Sequence, residues 1–190
     1  MSHRCTQRLV ERKQIRRVSM RWAGEPDWFY LYDEKKRPDQ VQHRLGKAWI
    51  FTAWNLKVIA SAGAQKLVYF KTEEKKFLPV PDLYAVTNHR IYGNIYHFGE
   101  FQVTESGNKW DKDYKALFET FAESQAIHLT IVTTGHTGAI RRQLGENLRG
   151  MRNVRVEYFT LDKLRELCWR IALRLKEESR KELTTNAESG

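Results

Sequence analysis

Between Pro81 and Glu105 the chain reads PDLYAVTNHRIYGNIYHFGEFQVTE, and no other stretch restricts the fold so strongly. Tyr, Val, Ile and Phe dominate two runs that suit a pleated, half-buried surface, and Asn88 to Asn94 supplies turn chemistry around Gly93. The expected outcome is a β-hairpin with Asp82 at the head of one strand and Glu100 in the middle of the next. Side chains alternate along a strand, so Tyr96, Phe98, Glu100, Gln102 and Thr104 share one face and His97, Gly99, Phe101 and Val103 the other. A carboxylate flanked by Phe98 and Phe101 is costly to keep charged unless a cation compensates it. Paired carboxylates on neighbouring strands therefore suggest a site for a divalent metal and a phosphate. The same residue types also allow Asp82 to be a strand-start residue and Glu100 a solvated one.

The front of the chain is strongly basic. Arg4, Arg8, Arg12, Lys13, Arg16, Arg17 and Arg21 face a single acid, Glu11, over a segment that passes from helical pattern to strand near Ile15. Gly24-Glu25-Pro26-Asp27 reads as a turn and Trp28 to Tyr32 as a returning aromatic strand. A basic helix and hairpin of this kind contact phosphates, which makes Arg8, Arg12, Lys13, Arg16, Arg17 and Arg21 candidate DNA-binding residues. A solvated charged face is the plainer alternative. The net charge of +10 and a pI of about 9.7 favour a polyanionic partner, nucleic acid first and an anionic membrane surface second.

Further on, Val41 to Asn55 reads as a mostly buried helix with His43 in its first turn, Lys66 to Lys71 as the first strand of a sheet, and Phe77 to Val86 as the second. Asn108 is placed to cap a helix over Lys109 to Ser124, whose Trp110, Tyr114, Leu117, Phe118 and Phe121 form a core stripe. Ile127 to Thr133 is an apolar run expected in a parallel position after a crossover. It leads into Thr133-Thr134-Gly135-His136-Thr137-Gly138, a loop able to receive a phosphate at a helix start but lacking the GK[ST] of a nucleotide-binding loop. A helix from Ala139 to Leu148 carries Arg141 and Arg142, two further candidate DNA contacts. Val154 to Phe159 is a strand, and Leu161 to Lys176 an amphipathic helix capped by Thr160. These elements give an α/β fold, a mixed sheet flanked by helices. Residues 1–38 form a basic helix and hairpin, 39–178 the α/β domain, and 179–190 a polar tail expected to be disordered.

The order of these pieces resembles the PD-(D/E)xK nucleases: Pro81-Asp82, a hairpin, Glu100-Phe101-Gln102, then a helix bearing Lys109, Lys112 and Lys115. More narrowly it is similar to the replication-relaxation family and the related MOBC class of plasmid mobilisation relaxases. In these a basic wing, a helix opening with a His, a PD strand, an acidic strand and a Lys/Tyr helix follow one another. The resemblance spans about Arg8 to Leu167 and rests on that order. It implies a restriction-endonuclease-like sheet preceded by a partial winged helix, with Mg²⁺ or Mn²⁺ held by Asp82 and Glu100. It also implies a catalytic set of Asp82, Glu100, Gln102, His43 and either Lys112 or Lys115. The chain departs from the family pattern twice. Gln102 stands where a Lys or second acid is usual, and a neutral amide is the poorer metal ligand. At the front, only the last helix and the wing of a winged-helix domain are expected.

Cys5 and Cys168 lack the spacing of a disulfide framework or a zinc site, so Cys168 reads as a small buried hydrophobe. No apolar run approaches a membrane span and the Arg-rich start lacks an apolar leader, which together point to a cytoplasmic protein. Three functions remain open: a metal-dependent DNA nickase, a DNA-binding protein on a nuclease fold without cleavage, and a protein-interaction domain presenting Trp22, Trp28 and Tyr30 to a partner protein or a second copy.

Overall fold

A computed structural model describes the backbone of residues 16–22, 25–31, 38–103, 113–135 and 137–188, and the side chains of 42–103, 113–135 and 137–181. Along these residues run β1 (Arg16–Trp22), β2 (Glu25–Leu31), α1 (Pro38–Ala60), β3 (Gln65–Thr72), β4 (Leu83–His89) and β5 (Gly93–Gln102). They are followed by α2 (Tyr114–Phe118), β6 (Ala126–Thr133), α3 (Gly138–Asn147), β7 (Val154–Thr160) and α4 (Leu161–Glu188). β1 and β2 pair with each other, and the other strands make one mixed sheet in the order β3-β4-β5-β6-β7. β3, β4 and β5 are antiparallel neighbours, whereas β6 and β7 add in parallel. The expected hairpin is β4–β5, with Leu83 opposite Gly99, and the apolar run after the crossover takes the parallel place beside it.

Alternation along the strands divides the interior into two cores. Tyr84, Phe98, Leu129 and Ile131 point to one face and pack with Tyr114 and Phe118 of α2 and with Ile140 and Leu144 of α3. Leu83, Ala85, Phe101 and Val132 point to the other, against Ile50, Ala53 and Trp54 of α1 and Leu161, Leu164 and Cys168 of α4. Cys168 is buried there as expected, and burial pushes its thiol up. Among the described residues, no helix is long and apolar enough to cross a membrane.

Several expected boundaries shift. The second sheet strand begins at Leu83 rather than Phe77, because Pro79 and Pro81 have no N–H to give to a ladder. β2 begins at Glu25, so the Glu25-Pro26-Asp27 part of the expected turn lies in the strand, paired with Trp22, Arg21 and Met20. The helix expected over Lys109 to Ser124 is described only as the short α2, and it has ended by Glu119. There the Thr120 hydroxyl bonds the Leu117 carbonyl at 2.7 Å, and the N–H groups of Thr120 and Phe121 fold back on residues three before them. Asp113 caps α2 by accepting from Lys115 N–H, while the expected cap Asn108 lies outside the described residues. At the other end, α4 continues to Glu188 through most of the segment expected to be disordered. Its Glu, Lys and Arg residues are good helix formers and include an Arg174–Glu178 pair one turn apart.

Candidate active site at the end of the sheet

The loop before β4 delivers Asp82 to the margin of the sheet with both carboxylate oxygens engaged. Oδ2 accepts the Phe101 backbone N–H at 2.9 Å, and Oδ1 lies 3.0 Å from His43 Nε2. The first contact fixes the carboxylate beside the Glu100–Phe101 peptide. The second ties it to α1, where His43 lies in the second turn rather than the first, since the helix already begins at Pro38. α1 reaches so far in because Gly46 has no side chain. A Cβ there would sit 2.2 Å from the Phe101 ring, and that ring also receives the edge of His43 at 5.8 Å between centroids.

Glu100 is 4 % exposed, which removes the solvated-strand alternative. Its Oε1 accepts the hydroxyl of Tyr114, a fully buried residue at the start of α2. Burial, followed by the charge of Glu100, holds the Tyr114 phenol well above its usual range, so it remains a proton donor to the carboxylate. Asp82 acts on the same phenol in the same direction, after burial and Glu100. Gln102 follows on the Glu100 face of β5. Its backbone carbonyl accepts Thr134 N–H at 3.2 Å, while its side-chain Oε1 is buried without a hydrogen-bond partner among the described residues. A buried amide oxygen in that condition is a group that an absent ligand would satisfy.

His43, Asp82, Glu100 and Gln102 are thus brought to one margin of the sheet, but the two candidate lysines are not added to them. Lys112 lies outside the described residues. Lys115 is half exposed, with its ammonium 3.9 Å from Glu119 on the next turn. The cation present is one that the sequence reading passed over. Lys47, one turn after His43, is only 11 % exposed and donates to Glu73 Oε1 at 2.9 Å. Glu73 directly follows β3, and its backbone N–H bonds the Asp82 carbonyl at 3.1 Å. Lys47 holds the Glu73 carboxyl below its usual range, and Asp82 and His43 both act on it as well. The signal for Lys47 was the four-residue spacing from His43, which places both on one helix face. Tyr114 carried no signal beyond its place in an aromatic stripe.

A set made of two carboxylates and an amide oxygen offers hard donors of the kind Mg²⁺ and Mn²⁺ take. Among the described residues, no three His, Cys, Asp or Glu side chains converge as a metal cage, so Gln102 and water would have to complete any shell.

Of the candidate DNA contacts, Arg8, Arg12 and Lys13 lie outside the described residues, while Arg16, Arg17 and Arg21 fall on β1 opposite Leu31, Tyr30 and Pro26. Arg141 and Arg142 occupy the first turns of α3, Arg142 exposed and Arg141 with its guanidinium 5.2 Å from the Tyr158 ring. The Thr133–Thr134 start of the loop leading to them adjoins Gln102, which pairs with Thr133 across β5 and β6. Further along the α1-facing side of the sheet, a hollow of about 300 Å³ is lined by Trp54, Lys57, Gln65, Thr87, His97 and His128.

No protein-family model, no curated protein and no solved structure matches this chain.

Proposed function

We propose that this protein is a metal-dependent DNA endonuclease that nicks one strand, acting in plasmid or phage mobilisation or replication. The observation that carries the reading is that Asp82 is bonded to the Phe101 N–H, one residue from the buried Glu100, and that the Gln102 oxygen on the Glu100 face is buried without a hydrogen-bond partner among the described residues. A meander of three antiparallel strands followed by a helix and a parallel strand supports the resemblance to PD-(D/E)xK nucleases, as does the His on the preceding helix.

In this reading Asp82, Glu100 and the Gln102 amide oxygen would hold Mg²⁺ or Mn²⁺. Such a cation would supply a more acidic water and offset negative charge on a phosphate. The chain's own groups orient the reaction. Phe101 N–H and His43 fix the two oxygens of Asp82, and the Tyr114 hydroxyl fixes one oxygen of Glu100 while keeping its own proton. His43 would assist on a phosphate oxygen. Arg141, Arg142 and the basic β1 hairpin supply sequence-independent backbone contacts, whose affinity falls steeply with salt.

A second reading has one specific observation behind it. Gln102 brings no charge and Lys115 is engaged with Glu119, as suits a DNA-binding protein of replication or transcription that keeps the nuclease fold without cleavage.

Supercoiled plasmid incubated with the protein in EDTA, Mg²⁺ or Mn²⁺ separates the two. Nicked circles that need the metal and vanish with Asp82→Ala are the expected result. Intact plasmid retarded in the gel, with no effect of metal or substitution, would replace the first reading by the second.

A further inference from the structure

Three observations single out the pair of Lys47 and Glu73. Lys47 is a lysine whose side chain is nearly withdrawn from solvent, yet its ion-pair partner among the described residues is a carboxylate that is itself 60 % exposed. A pair meant only for stability gains little from such an arrangement, because water screens the exposed half. Glu73 adopts φ +52°, a left-handed conformation uncommon outside glycine, at the position from which its carboxylate reaches Lys47. Finally, the pair is part of the candidate site: Glu73 is hydrogen-bonded through its backbone N–H to the Asp82 carbonyl and is held by a lysine one turn from His43.

We propose that Lys47 is the phosphate-binding cation of this site, taking the role left vacant by Gln102 on β5, and that Glu73 holds it until a phosphodiester arrives. The inference rests on the endonuclease reading and deepens it. In the free protein the Lys47 ammonium donates to Glu73. When DNA is bound, it exchanges that carboxylate for a non-bridging oxygen of the scissile phosphate, and Glu73, already largely in water, is released to solvent at little cost. Helix α1 thereby supplies both a His and a Lys to one phosphate, and the close approach of Gly46 to Phe101 sets how far they reach. Lys115 has no part in this.

The two members of the pair should act on DNA binding with opposite signs, before any metal is added. A fluorescent oligonucleotide titrated in EDTA reads the binding, and plasmid nicking in Mn²⁺ reads the reaction. Lys47→Met should weaken metal-free binding roughly tenfold, the worth of one charge-assisted contact, and slow nicking by about 10²-fold or more. Lys47→Arg should keep most of the binding. Glu73→Gln should tighten binding more than Glu166→Gln, a remote surface carboxylate whose removal changes net charge equally. The excess should disappear in the Lys47→Met background, since Glu73 acts through Lys47. Nicking by wild type together with an unchanged Lys47→Met would overturn this assignment alone. An excess for Glu73→Gln that persists without Lys47 would do the same. Wild-type protein that neither binds nor nicks DNA would overturn the endonuclease reading and the Lys47 assignment with it.

Discussion

Replacing Gly46 by Ala tests whether the approach of α1 to β5 builds the site. Alanine is the better helix former by about 1 kcal/mol, so propensity alone makes Gly46→Ala stabilising. Packing reverses the sign. The new Cβ would lie 2.2–2.3 Å from three carbons of the Phe101 ring, where about 3.5–4.0 Å is the comfortable separation. Phe101 is 2 % exposed and wedged in the α1–α4 core, so the ring has nowhere to swing. The helix must retreat by on the order of 1 Å, an overpacking cost of about 1–3 kcal/mol. The same retreat lengthens the 3.0 Å His43–Asp82 contact past hydrogen-bonding range. Gly145 in α3 is the control: a Cβ there meets nothing within 4 Å, so Gly145→Ala should stabilise by about 0.5–1 kcal/mol. Urea unfolding followed by tryptophan fluorescence compares the two, with the midpoint lowered for Gly46→Ala and raised for Gly145→Ala. Equal shifts in the same direction would refute the packing account.

Two other perturbations follow from buried groups. Tyr114→Phe removes the donor to Glu100 and leaves a buried carboxylate short of a partner, which should cost about 1.5–3 kcal/mol at pH 7 in urea unfolding; a variant as stable as wild type would deny that Glu100 is charged and dependent on that hydroxyl. His97 is pushed down to about 3 from 6.5, first by burial and then by the neighbouring His128 and Lys57. Its unfolded form therefore takes up a proton that the folded form refuses, and stability is present above pH 6.5 and lost as pH falls from there toward 3. Between pH 7 and 5 the loss assigned to His97 is about 2 kcal/mol. His97→Gln should flatten the dependence of the urea midpoint on pH by that amount, and an unchanged slope would refute it.

Periodicity carried most of the fold into view. The β4–β5 hairpin, the buried β6 run and the apolar stripe of α4 show themselves through alternation, unbroken hydrophobicity and 3–4 spacing, each a local consequence of burial. Boundaries were harder where one residue type competes with another: Pro79 and Pro81 delay β4, and the Thr120 hydroxyl helps close α2 early. Of the candidate site, Glu100 was legible because a charged group amid aromatic residues demands compensation, Asp82 as its counterpart at the head of the neighbouring strand, and His43 only through the resemblance. Lys47 and Tyr114 were not, since nothing local marks a lysine that turns inward or a phenol that reaches a carboxylate on the preceding strand. Both depend on how closely α1 and α2 settle on the sheet, and that distance is set by Gly46 and by the aromatic packing around Phe98.

The two cores lie on opposite faces of the sheet and share only its strands. Asp82 is fastened to the α1 side through His43, and Glu100 to the α2 side through Tyr114. A divalent ion gripped by both would act as a rivet through the end of the sheet, joining the layers on its two faces. Such an ion binds the folded chain alone, so it should raise the unfolding temperature in proportion to the logarithm of its concentration. Slippage of either layer would in turn loosen the grip, making metal affinity a gauge of how well the two halves of the interior are assembled.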